Sequence, residues 1–185
     1  MAAGRTVGEG AQTLVERFLA TWSGRTRFVR ANLLQGLPFA DDRFDFVHQR
    51  ALAWAVPVRS WPVLVQDLVR VAAPGGWVEL VEGQAEFEPA GAATERLCEL
   101  LQRLSTTRGL DSTGIVFRSV DRYLTQAGMA QVERQTVPLP VGEWGGRAGS
   151  LLASDGRAVF TRLAPAFEAQ FGIPERECLE PASPL

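Results

Sequence analysis

The chain has 185 residues, 46% of them hydrophobic and 22% charged, with a net charge of −2. That length supports one domain with a real core, and the near-neutral balance leaves no electrostatic footprint for nucleic acid or an anionic membrane. Two cysteines, Cys98 and Cys178, and a single histidine, His48, give no metal-ligand spacing and no disulfide framework, which fits a reducing cytoplasm. No signal-peptide core and no run approaching ~18 apolar residues is present, so the expectation is a cytoplasmic protein without a membrane span.

Residues 1–10 are Gly-rich and patternless and read as a flexible leader. Between Ala11 and Trp22 the apolar positions Leu14, Val15, Phe18, Leu19 and Trp22 share one helical face. A short strand is predicted at Phe28–Asn32. The loop Gly36-Leu37-Pro38-Phe39 cannot be a central strand, because Pro38 has no N–H to donate. Asp41-Asp42-Arg43 then signals a turn into a second strand, Phe44–His48.

A helix is predicted over Trp61–Ala73, with Ser60 as its N-cap and Pro62 in the first turn. Pro74-Gly75-Gly76 ends it and leads into a third strand, Trp77–Glu82. Strand, helix and strand with a tight return is the pattern of a parallel crossover unit, whose ligands bind beyond the carboxyl ends of the strands. Further on, the pattern predicts helices over Ala92–Thr107 and Val116–Ala127, the second closed by Gly128. A strand over Met129–Leu139, a loop over Val141–Arg147 and a helix over Leu151–Phe171 follow, then an irregular tail over 172–185.

The ordered set Leu37-Pro38-Phe39, Phe44-Asp45-Phe46-Val47-His48-Gln49-Arg50 and Pro74-Gly75-Gly76-Trp77 through Glu82 resembles the middle of a class I S-adenosylmethionine-dependent methyltransferase. It is most similar to the methyltransferase type 11/25-like subgroup of secondary metabolism. That subgroup includes the methyltransferase-like regulators of fungi and related bacterial enzymes. The resemblance covers most of residues 28–170, more loosely after Glu82. It implies an α/β, Rossmann-like methyltransferase fold, here a reduced or truncated three-layer sandwich with a mostly parallel sheet.

The resemblance also implies a cofactor, S-adenosyl-L-methionine, and transfer of its methyl group to a small-molecule acceptor. By that likeness Asn32 and Leu33 stand where the adenine is held, Asn32 replacing the commoner Asp, with capping of the strand the alternative for Asn32. His48, Gln49 and Arg50 line the floor beneath the sulfonium, largely through backbone groups. His48 is also the one candidate general base, against the alternative that it is a strand-terminal residue with a backbone partner. Trp54 and Trp144 are candidate walls of an acceptor pocket, as is Trp61, with core or surface anchoring the alternative for each. Glu82 is a candidate to reach the site.

The match also breaks. A first strand ending in a Gly-x-Gly turn is needed upstream, and only 27 residues precede Phe28. Gly8-Glu9-Gly10 follows no apolar strand, and no acid is placed to bind the ribose hydroxyls. The expected sheet therefore has about four strands. Its exposed edge invites pairing with another chain, as a homodimer, or cover by the N-terminal helix. Three readings stay open: an active methyltransferase, a non-catalytic remnant serving as an interaction or dimerisation module, and an incomplete coding sequence with the missing strands upstream.

Overall fold

A computed structural model describes residues 26–84, 86–88 and 91–174. The chain divides into two compact units, 1–32 and 33–185. The N-terminal leader, the helix expected over Ala11–Trp22 and the tail beyond 174 lie outside the described residues. Residues 26–32, the described part of the first unit, form no regular element, and Phe28 and Val29 are exposed. The strand expected at Phe28–Asn32 is therefore not formed. A strand exists only where a neighbour accepts and donates along its edge, and no ladder is made here.

The second unit is built on β1 (Phe44–Arg50), α1 (Trp61–Arg70) and β2 (Ala72–Val81). The two strands are parallel neighbours, with Phe46 opposite Trp77, His48 opposite Glu79 and Arg50 opposite Val81. This is the crossover unit the sequence predicts. Among the described residues the sheet has two strands, where four were expected.

Helix α1 forms because Trp61, Leu64, Val65 and Leu68 recur at i, i+3, i+4 and i+7, and all four are buried. Pro62 sits in its first turn, where a missing N–H costs nothing. Ser60 occupies the N-cap position, but its side chain makes no capping bond. The helix ends at Arg70, short of the expected Ala73, and the Pro-Gly-Gly segment falls inside β2 instead of between helix and strand. It is an excursion in the ladder: Ala72 pairs with Phe44, and regular pairing resumes at Trp77. Gly76 is required there, since a Cβ would stand 2.8 Å from the Ala73 carbonyl oxygen and 3.0 Å from that of Asp45.

Three further helices follow: α2 (Ala92–Thr107), α3 (Ile115–Gln126) and α4 (Gly146–Phe171). Gly128 closes α3 with φ +98°, while Met129 N–H donates to the Leu124 carbonyl. The strand expected over Met129–Leu139 is irregular chain. Met129 and Val132 pack on the core, but Val137 and Leu139 are exposed. Pro138 and Pro140 remove two donors there, and β1 and β2 pair only with each other.

The main core joins α1 and α3 to the inner face of the sheet through Val47, Val78 and Leu80. A smaller cluster of Leu100, Leu104, Ala164 and Phe167 joins α2 to α4. Alternation along the strands sends Phe46, His48 and Arg50, with Trp77, Glu79 and Val81, to the other face, where Phe46, Trp77 and Val81 are exposed.

Candidate functional site

In a parallel pair the chain leaves both strands at the same edge, and here that edge is shaped by Glu82. Just past β2, its carboxylate accepts from Leu52 N–H (2.8 Å), Ala53 N–H (3.0 Å) and the Gln49 side-chain amide. These bonds fold the chain sharply back after β1. Ala51 there takes φ +57°, a conformation that disfavours any residue with a Cβ. Its N–H donates to the Val81 carbonyl at 3.0 Å. Strained backbone of this kind persists only where its surroundings hold it.

Glu82 is thus fully engaged with three donors and does not project into a site. Both its oxygens are consumed as a staple across the strand ends. Gln49, buried on the inner face, gives its amide N–H to that staple, and its Oε1 is buried without a partner. An unpaired buried acceptor is costly unless a donor reaches it.

The remaining sequence-predicted residues are dispersed. Asn32 is exposed in the first unit, and Leu33 is half-buried against the main core at the start of a 3-10 turn, Leu33–Gln35. His48 lies on the outer face, its Nδ1 2.7 Å from Glu79 Oε2 and its ring stacked near that of Phe46. The Nδ1–H donates to the carboxylate and fixes the orientation of the ring. Arg50 ends β1, exposed.

Trp54 lines a cavity of about 100 Å³ beyond the carboxyl end of β2, together with Gln84, Cys98, Gln102, Ser112 and Arg118. Trp144 does not line it; in the 3-10 turn Glu143–Gly145 its indole N–H donates to the Val141 carbonyl at 3.1 Å. Trp61 is fully buried and donates to the Val56 carbonyl, so it anchors the core. In the cavity wall, burial raises the Cys98 thiol above its ordinary value.

Asp111 is a residue the sequence reading missed. Buried at the cavity edge, it accepts from Thr113, Ile115 and Val116 N–H and so caps α3 from three residues before Gly114. The signal available was an Asp-Ser-Thr-Gly run before an apolar helix. With those donors taken, the start of α3 offers no anion site to the cavity.

The family model for a methyltransferase domain matches residues 9–80. The N-methyltransferase sirN of Leptosphaeria maculans is 32% identical over 123 residues, covering 63% of this chain and 42% of that protein. The secondary metabolism regulator laeA of Aspergillus fumigatus is 29% identical over 111 residues, 56% of this chain and 28% of the relative. Methyltransferase cpsF of Aspergillus campestris is likewise 29% identical over 111 residues, 57% and 38%. The chain spans less than half the length of each of these relatives. The parallel crossover unit falls at the segment that the methyltransferase-domain model matches, and the two together fit a reduced α/β Rossmann-like fold. Among the described residues no helix is long and apolar enough to cross a membrane.

Proposed function

We propose that the protein transfers a methyl group from S-adenosylmethionine to a small-molecule acceptor. The observation that carries this reading is the unpaired, buried Gln49 Oε1 at the carboxyl end of β1, beside the strained turn at Ala51. An acceptor without a donor suits an amine-bearing ligand at the edge where open α/β sheets bind theirs. In this reading Leu33 holds the adenine, and the backbone of His48, Gln49 and Arg50 forms the floor. Gln49 Oε1 is the one acceptor at this edge that suits such a ligand, and a glycine-rich turn after a first strand and a ribose-binding acid are not among the described residues.

When bound, the cofactor supplies an electrophilic methyl on a sulfonium. The chain's own contribution is positioning, which carries most of such a displacement. The cavity beside Trp54 receives the acceptor against an indole face and the amides of Gln84 and Gln102. Its walls pair one cation, Arg118, with the acids Glu86 and Asp111, which suits a neutral, flat acceptor better than an anionic one. In that wall Asp111 is spent on the start of α3 and Glu86 accepts from the Gln84 amide, while His48 is held on the outer face by Glu79. The acceptor atom is therefore one already nucleophilic, such as a neutral amine, a class that the name of the sirN relative also carries.

The second reading, a non-catalytic module that binds another chain, is favoured by the exposed apolar outer face of the sheet. Calorimetric titration with S-adenosylhomocysteine separates the two. Affinity in the micromolar range supports the enzyme, whereas no heat up to millimolar ligand overturns it in favour of the module.

A further inference from the structure

Parallel sheets occur almost only with both faces covered, yet among the described residues this one is covered on a single face. Its inner side chains, Val47, Val78 and Leu80, meet α1 and α3. On its outer face Phe46 is 57% exposed, Trp77 72% and Val81 41%. The His48 and Glu79 side chains between them are 43% and 55% exposed.

The register gives this face an order. It consists of three successive rungs, Phe46 beside Trp77, His48 beside Glu79, and Arg50 beside Val81. Consider a two-fold axis parallel to the strands, midway between two such faces packed ~10 Å apart in the aligned manner of stacked sheets. It sets β1 of one copy over β2 of the other and leaves every rung at its own level. Phe46 then meets the other copy's Trp77, His48 meets Glu79, and the Arg50 stem lies on Val81. Each rung pairs unlike groups that suit one another: ring on ring, base on acid, and an aliphatic stem on a branched side chain.

We infer that the outer face of the sheet is an isologous interface, closed by the same face of a second copy of this chain. The dimer uses the face of the sheet and not its edge. With two exposed aromatic side chains from each copy at its centre, it sits at the small end of stable interfaces, with dissociation expected in the micromolar range.

Sedimentation velocity on the full chain, over roughly 1 µM to 1 mM, tests this. The expected result is a monomer–dimer equilibrium that Trp77→Lys abolishes while the far-UV circular dichroism is unchanged. His48→Glu sets acid against acid and weakens association by roughly tenfold or more. The double variant His48→Glu/Glu79→His rebuilds the rung with its columns exchanged and restores the parent's association. A chain monomeric at every concentration overturns the inference. So does a Trp77→Lys protein that associates like the parent, or a double variant as weak as His48→Glu. None of these outcomes depends on whether the cofactor binds.

Discussion

Arg70 Nε lies 2.7 Å from Asp67 Oδ1, three residues earlier on the same helix, and together these two side chains fasten the chain that enters β1. The Arg70 Nη1 group donates to the Phe39 carbonyl at 2.8 Å and to Asp41 Oδ1 at 2.6 Å, and Nη2 donates to the Leu37 carbonyl at 3.1 Å. Asp67 in turn accepts from Leu37 N–H. One planar guanidinium thus satisfies two carboxylates and two backbone carbonyls, a geometry that lysine cannot copy. It also shows how a loop barred from the sheet by Pro38 is held in place.

Arg70→Ala is expected to lower the thermal midpoint clearly, and Arg70→Lys to recover only part of the loss. Arg59→Ala, on the exposed turn before α1, serves as the control with little effect. The partners Asp41 and Asp67 raise the guanidinium's already high pKa. A raised folded-state value means that this contribution is complete at neutral pH and is lost only as pH rises through that value. Thermal melts between pH 6 and 9 should therefore show a constant difference between parent and Arg70→Ala, and a difference that vanishes across that range would contradict the clamp.

Gly76 tests the close approach of the two strands. A methyl group there meets the carbonyl oxygens of Ala73, Asp45 and Phe44, all backbone, so no flexible side chain can move aside. Gly76→Ala should cost about 1–3 kcal/mol in urea denaturation. Gly83→Ala, whose added methyl meets nothing within 4 Å, should be close to neutral. Equal losses at the two positions would show that backbone freedom, and not contact, is what Gly76 supplies.

The crossover unit and the three later helices were legible because each rests on short-range information. Trp61, Leu64, Val65 and Leu68 announce a buried helical stripe, and Phe44–His48 announces a strand that lengthens to Arg50 once Val81 is available as a partner. The segments Phe28–Asn32 and Met129–Leu139 carry similar patterns and form no ladder, because a strand depends on a neighbour that its own residues do not encode. The site divides in the same way. The sequence offers Trp54 only as a candidate among several indoles, and the fold sets it at the cavity beyond β2. That Glu82 is a staple, and that Asp67 and Arg70 hold residues 37–41, depends on partners some thirty positions away, which periodicity does not reveal.

Cys98 reports on the cavity. Burial raises its thiol above the ordinary 9.0, which disfavours the thiolate that reacts with alkylating agents. In a Cys178→Ser background, maleimide labelling at pH 7 should run about tenfold slower in the folded chain than in urea, and should quicken as pH rises. Since the folded-state value is raised, the thiol's stabilising contribution is full at neutral pH and fades as pH climbs above that of a free thiol. An acceptor seated against Trp54 should slow labelling further. Labelling unaffected by a bound acceptor would place that acceptor outside this cavity.

The staple at Glu82 yields the sharpest test of the strand-end geometry. Its two oxygens serve three donors, so Glu82→Gln does more than remove a charge. One of the two oxygens becomes an NH₂ group facing a backbone N–H, donor against donor, and one of those donors is left without an acceptor. The expected loss is about 1–3 kcal/mol, read from the urea midpoint. Gln49→Leu should cost less, because it removes an oxygen that has no partner and leaves Leu52 and Ala53 bonded. In the Gln49→Leu protein S-adenosylhomocysteine affinity should nonetheless fall, since the acceptor that suits an amine is gone. A variant that keeps its stability and its cofactor affinity together would remove Gln49 from the site, while the staple would still stand on the Glu82→Gln result.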